Sequence, residues 1–172
     1  MTTESGGSVE RSRPWLRLRR DALFFLVVGA VFALDQLTKA IVRANLALGE
    51  AYPDEGFVRI VHVANSGAAF GILQGQTLFL TATTLLGLGA ILLYYLYPPM
   101  EHGLLRTALG LQLGGAIGNL TDRIRLGEVT DFIDFRCWPA FNVADSAIVI
   151  GVSTIVVFFV FNETVWQRKK GA

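Results

Sequence analysis

The stretch from Gly114 to Ser146, GGAIGNLTDRIRLGEVTDFIDFRCWPAFNVADS, carries the side chains of this chain best suited to chemistry. Four aspartates (Asp122, Asp131, Asp134, Asp145) and two asparagines (Asn119, Asn142) fall there, between two segments apolar enough to cross a bilayer. An ionised carboxylate costs several kcal/mol to bury unless it is paired or hydrogen-bonded, so a polar cluster at membrane depth points to function. Two aspartates held close share a proton, because both cannot readily ionise; one then activates a water while the other protonates a leaving group. Bland roles compete for the same residues. In Asn142-Val143-Ala144-Asp145, an asparagine N-cap with an acidic residue three positions on would start a helix. Asp122 beside Arg123 reads as a local ion pair, and Asp134 has no special context.

Composition and chain order set the elements that must position this stretch. Of 172 residues, 52% are hydrophobic and 17% charged, with a mean hydropathy of +0.48. That is too apolar for a soluble domain of this length and predicts a mainly α integral membrane protein. A net charge of +1 argues against a nucleic-acid partner. The single cysteine, Cys137, allows no internal disulfide and no multi-thiolate metal site.

Residues 1–20 read as a disordered tail, polar at first and then basic through Arg11, Arg13, Arg17, Arg19 and Arg20. Apolar runs at about 22–44, 77–97, 104–120 and 144–161 predict a four-transmembrane-helix bundle in one membrane-embedded domain, 21–166, followed by a basic tail, 167–172. The positive-inside rule then puts both termini in the cytoplasm and the 45–76 and 121–143 loops outside. A cleaved signal peptide ending near Val31-Phe32-Ala33 is the competing reading of the first run, opposed by a helical pattern that continues through Asp35 into Val42. In the third run Gly110, Gly114, Gly115 and Gly118 make one small face for close helix packing. The outer segment, about 48–75, combines turn chemistry at Tyr52-Pro53-Asp54-Glu55-Gly56 with a β-branched, alternating FVRIVHVAN. Small residues from Asn65 to Gly71 would let a backbone approach a ligand closely.

Asp35 and Lys39 lie four apart on one face of the first helix, roughly 20 Å in from Ala22 at 1.5 Å per residue. They read equally as a structural ion pair or as a brace beneath a site. With Asn65, Asn119, Asp122 and Asp145 they can meet at the outer membrane face, which predicts one site there. Arg123, Arg125 and Arg136, also in the outer loop, are expected to pair with local carboxylates or lipid head groups. Zinc is disfavoured because His62 and His102 fall on opposite sides of the bilayer. A Ser-His-Asp triad would need His62 with Ser66 or Ser146, and a Ser-Lys pair would need one of those serines with Lys39; no spacing signal supports either. A carboxylate pair remains, and whether Asp122 or Asp131 partners Asp145 stays open. The rival functions are a proton- or ion-coupled transport subunit, weakened by the absence of an evident internal repeat, and a non-catalytic scaffold whose aspartates only cap and pair.

The chain resembles the lipoprotein signal peptidases, the bacterial type II signal peptidases, across nearly its whole length. Five blocks carry the match in the family's order: Asp35-Gln36-Leu37-Thr38-Lys39, Asn65-Ser66-Gly67-Ala68-Ala69-Phe70, Gly118-Asn119-Leu120-Thr121-Asp122-Arg123, Val129-Thr130-Asp131-Phe132 and Phe141-Asn142-Val143-Ala144-Asp145-Ser146. The resemblance implies an intramembrane aspartyl protease of the bacterial inner membrane. Such an enzyme removes the signal peptide of diacylglyceryl-modified prolipoproteins by cutting before the lipidated cysteine. It further implies Asp131 and Asp145 as the catalytic pair, with Asp35, Lys39, Asn65, Gly67, Asn119, Asp122, Arg123, Asn142 and Ala144 in support. A small extracytoplasmic β-sheet would cradle the substrate and correspond to the run from Phe57 to Phe70. No metal or organic cofactor is expected; the expected partners are prolipoproteins and membrane lipids, and the enzyme is expected to act as a monomer.

Overall fold

Pro14 opens the first helix, at the position where its missing N–H costs no hydrogen bond. Helix α1 then runs Pro14–Asn45. The computed structural model describes residues 14–67, 73–97 and 102–170, and side chains over 21–67, 73–97 and 102–161. Residues 14–20, expected within the disordered tail, are therefore helical, because the backbone ladder of α1 continues outward past its apolar part. Residues 1–13, 68–72, 98–101 and 171–172 lie outside the described residues, as do the side chains of both basic tails.

After α1 come β1 (Ala51–Tyr52), β2 (Arg59–Asn65), α2 (Thr77–Leu96), α3 (Gly103–Leu126), β3 (Val129–Asp134) and α4 (Val143–Lys170). Three helical segments are long and apolar enough to cross a membrane: Asp21–Asn45, Thr77–Leu96 and Val143–Phe161. Helix α3, expected as a span over 104–120, is not one of them by composition. It is the inner member of the bundle and packs against α1, α2 and α4. A helix walled by protein needs no apolar exterior, so glycines and polar residues replace the lipid-facing leucines of its neighbours. Its glycines are where those neighbours come close. A Cβ at Gly114 would stand 2.8 Å from the carbonyl oxygen of Val28, and one at Gly118 would stand 2.5 Å from Oδ2 of Asp35.

One apolar core joins the four helices, with Phe24 of α1 and Leu109 and Leu113 of α3 buried against Leu88, Ile91 and Tyr95 of α2 and Ile155 of α4. Outward-facing residues such as Leu26, Leu86 and Val149 are more than half exposed. Water would oppose that exterior, whereas hydrocarbon matches it.

The strands form one antiparallel sheet in the order β1-β2-β3. Its third strand comes from VTDFID, outside the segment where sequence patterning placed the β-structure. In register, Val63 faces Asp131 and Asn65 faces Val129, with a bulge between Ile60 and Val63. Asn65 and Asp131 are thus diagonal neighbours on one face, within reach of each other. A hydrogen bond of 2.9 Å from the Thr77 hydroxyl to the Gly127 carbonyl ties the start of α2 to the end of α3 beside this sheet.

Candidate active site

The first turn of α4 is built by reciprocal capping. Asn142 Oδ1 accepts from the Asp145 N–H at 3.0 Å, and Asp145 Oδ2 accepts from the Asn142 N–H at 3.2 Å. The next free donor, the Ala144 N–H, reaches Asp35 Oδ1 at 3.0 Å. The capping expected from the sequence is present, and it fixes Asp145 in place. Asp35 in turn sits 2.9 Å from the Lys39 ammonium, with both side chains fully buried. The Asp35–Lys39 pair thus locks the start of α4 to α1.

Lys39 also pairs with Asp122 at 3.1 Å and donates to Asn119 Oδ1 at 2.8 Å. From there the network passes to neutral amides. Asn119 Nδ2 donates to Asp145 Oδ1 at 2.8 Å, while Asn142 Nδ2 donates to Asp131 Oδ1 at 2.7 Å and to Asn119 Oδ1 at 3.2 Å. Asn65 Nδ2, arriving from β2, donates to Asp131 Oδ2 at 2.8 Å. Arg123 reaches the Gly67 carbonyl at 3.4 Å, and Gly67 N–H donates to Asn65 Oδ1 at 2.9 Å, which orients that amide. The eleven residues that the resemblance implied, from Asp35 to Asp145, meet in this one cluster. Buried networks of this kind hold only when each member is satisfied, as here.

Four aspartates enter the cluster and divide into two kinds. Asp35 and Asp122 are closed off from solvent against the Lys39 cation. Asp131 and Asp145 make no ion pair among the described residues and accept only from amides. Both line a cavity of about 690 Å³ whose remaining wall is mostly apolar, with Val63, Trp138, Phe141 and Val149 among its members. Burial, and next the negative charge of Asp145, pushes the Asp131 carboxyl up from 3.8 to about 6, against the pull of the Asn65 and Asn142 donors. Asp134, three residues on, goes the other way. The Arg136 N–H and the Arg59 guanidinium hold it below the ordinary range, and it stands apart from the cavity.

The residues of the rival triad and Ser-Lys pair make structural hydrogen bonds instead, although Ser66 and Ser146 also line the cavity. His62 Nδ1 lies 2.9 Å from the Leu46 carbonyl, and His102 accepts the Leu104 N–H at 3.2 Å as the cap of α3. The Ser146 hydroxyl donates to the Asn142 carbonyl at 3.0 Å. Among the described residues no three His, Cys, Asp or Glu side chains gather in a way that could hold a metal ion. Of the outer arginines, Arg136 gives its side chain to the Asp54 carbonyl at 2.7 Å and its N–H to Asp134 at 2.8 Å.

Three contributors escaped the sequence reading. Gln36 bridges Asp35, the Gly118 carbonyl and Asp122. Thr130 gives its N–H to Asp122 at 3.2 Å, and its hydroxyl accepts from Arg43 at 2.8 Å. Arg43 was findable, because Asp35, Lys39 and Arg43 repeat at four-residue spacing and so share a helix face.

A family model described as signal peptidase (SPase) II matches residues 27–161. A lipoprotein signal peptidase of Moorella thermoacetica is 48% identical over 130 residues, which cover 75% of this chain and 87% of that protein. One from Halothermothrix orenii is 38% identical over 149 residues, covering 86% and 98% respectively. Among solved structures, a bacterial membrane enzyme determined in meso at 2.3 Å superposes with a TM-score of 0.77 at 32% identity, covering 81% of this chain and 88% of that one.

Proposed function

This chain belongs to the signal peptidase II family, and from that premise we propose that it is an aspartic endopeptidase that removes the signal peptide of diacylglyceryl-modified prolipoproteins, cutting before the lipidated cysteine. The observation that carries the aspartic assignment is the division among the four aspartates. Only Asp131 and Asp145 combine freedom from a cation partner with a place on the cavity wall.

The chemistry follows from that pair. The pair, with Asp131 raised towards neutrality, shares one proton; the ionised member takes a proton from water as the water oxygen attacks the scissile carbonyl, and the protonated member gives its proton to the carbonyl oxygen. The proton taken from water then passes to the leaving amide nitrogen, a hydroxyl of the tetrahedral intermediate returns a proton to the pair, the C–N bond breaks, and a carboxylic acid and a free amine result. Asn65, Asn119 and Asn142 hold the two carboxyls in place without supplying the positive charge that would keep both ionised.

In this reading α3 is a fourth crossing. Its 24 residues rise roughly 36 Å, enough for a hydrocarbon core of about 30 Å. Both termini then lie in the cytoplasm, and the sheet and the aspartate pair face the outer side of the bacterial inner membrane, where a lipid-anchored cysteine presents its neighbouring peptide bond. Asp131→Asn and Asp145→Asn, purified as folded protein and given a diacylglyceryl prolipoprotein, are each expected to lose at least about a thousandfold in turnover by gel-shift. Full turnover by either variant would overturn the assignment.

A further inference from the structure

Arg43 belongs to the aspartate cluster, yet the acid–base steps at Asp131 and Asp145 give it no task. It stands in the last turn of α1, on the helix face that carries Asp35 and Lys39. Its Nη1 donates to the Thr130 hydroxyl of β3 at 2.8 Å and lies 3.7 Å from Asp122 Oδ1. Lys39 already pairs with Asp122 at 3.1 Å, so the shorter contact, to the strand, is what Arg43 adds. Thr130 is buried and held at three points. Its N–H goes to Asp122 Oδ2 at 3.2 Å, its hydroxyl accepts from Arg43, and its carbonyl accepts from Asn142 Nδ2 at 3.4 Å. That same amide donates to Asp131 Oδ1 at 2.7 Å.

Successive side chains of a strand point to opposite faces. Val129 and Asp131 line the cavity, and Thr130 between them does not. Arg43 therefore grips β3 from the face turned away from the cavity. The ladder to β2 is irregular at this place, because the bulge between Ile60 and Val63 adjoins the pair Val63–Asp131. A bulge interrupts strand pairing, so the sheet alone holds that point of β3 less firmly. We propose that Arg43 is a positioning residue for Asp131: through the Thr130 hydroxyl it fixes β3 where Asp131 and Asp145 can share one proton. The inference rests on the reading of that pair as catalytic. Hydrogen bonds from a charged donor are roughly twice as strong as neutral ones, and a reacting group misplaced by about 1 Å loses on the order of a hundredfold in rate. The hold does not involve substrate, so its loss falls on kcat and not on KM.

Removing the hydroxyl tests this. Thr130→Val keeps the branched shape and is expected to lower kcat for a diacylglyceryl prolipoprotein about tenfold, with KM within about twofold. Thr130→Ser restores the hydroxyl and should return kcat to within about twofold of wild type. Arg43→Met should lose at least as much as Thr130→Val, and the double variant no more than Arg43→Met, because both cut the same bond. Thr84→Val, which deletes a hydroxyl bonded within α2 at 2.7 Å, should leave kcat and KM unchanged. A wild-type kcat in Thr130→Val, a loss carried by KM, an equal loss in Thr130→Ser, or losses that multiply in the double variant would each overturn the proposal. A second readout needs no turnover. The carbonyl stretch of protonated Asp131, assigned as the infrared band that Asp131→Asn removes in acid, should shift or broaden in Thr130→Val and Arg43→Met and keep its wild-type form in Thr130→Ser. A band unchanged in all three overturns the proposal. A wild-type enzyme that cleaves no prolipoprotein overturns the peptidase reading instead, and the infrared band still decides whether Arg43 positions the carboxyl.

Discussion

Charged groups join α1 to α3 at both ends of the bundle, with different outcomes. At the far end Asp21 accepts from Arg106 and, at 3.0 Å, from the Tyr95 hydroxyl, while the Arg106 guanidinium lies 5.2 Å from the centre of the Tyr95 ring. Among the described residues one anion meets one cation there. At the other end four aspartates gather around the single buried Lys39. Lys39 satisfies two of them, and the two in surplus sit against amides on a cavity wall. Ion pairing alone therefore marks only where helices are fastened. The signature of chemistry is carboxylate in excess of cation, placed where a substrate can reach it.

The contrast can be broken most sharply at its two cations. Lys39→Met leaves Asp35 buried without a counter-charge and Asp122 with only the Arg43 guanidinium, 3.7 Å away, and breaking a buried pair in this way costs about 3–5 kcal/mol. Activity should fall with stability. Arg106→Met strands an aspartate that is 41% exposed and can still reach water. The expected cost is about 1 kcal/mol or less, with turnover retained. Thermal unfolding in detergent, with activity on the survivors, measures both; equal losses at the two ends would erase the distinction.

A smaller effect concerns protonation. With Asp131 pushed up to about 6, turnover should decline as pH rises through that value and the pair loses its proton. The Asn65 amide stabilises the ionised carboxyl, so Asn65→Ala should move this alkaline limb upward. Stability runs in the same sense. A carboxyl whose pKa is raised on folding contributes stability that is full below about pH 4 and lost as pH rises through 6, and Asp131→Asn should flatten that slope. An alkaline limb unmoved by Asn65→Ala would detach it from Asp131.

The least effect is expected at Asp134, on the same strand but paired with Arg59 and remote from the cavity. Asp134→Asn should alter kcat/KM by less than about twofold. Its depressed pKa stabilises the fold above the ordinary carboxylate range, so the variant and the wild type should converge only in acid. A large loss of activity would mean that proximity along β3, and not pairing, sets an aspartate's role.

Much of this organisation is legible in the chain. The runs at 22–44, 77–97 and 144–161 stand close to the helical segments Asp21–Asn45, Thr77–Leu96 and Val143–Phe161, because lipid-facing helices must be apolar nearly all round. Asn142 and Asp145 were readable as a cap, a local device set by three-residue spacing. Helix α3 was harder. Its glycines and polar groups answer to neighbours distant in sequence, and composition does not reveal a helix that other helices enclose. The strand Val129–Asp134 escaped for a similar reason, since its partner, β2, lies some seventy residues earlier.

Spacing and composition were thus enough to place apolar helices, a capped turn and a carboxylate-rich stretch between two of them. They left Asp122 and Asp131 equivalent as partners for Asp145, and resemblance to a family favoured Asp131. Folded contacts separate the two physically. Lys39 arrives from α1 to neutralise Asp122, while β3 carries Asp131 past it to the amides of Asn65 and Asn142. Whether a carboxylate becomes a fastening or a reactive group depends on which charge reaches it through space, and that distance is not written in local sequence.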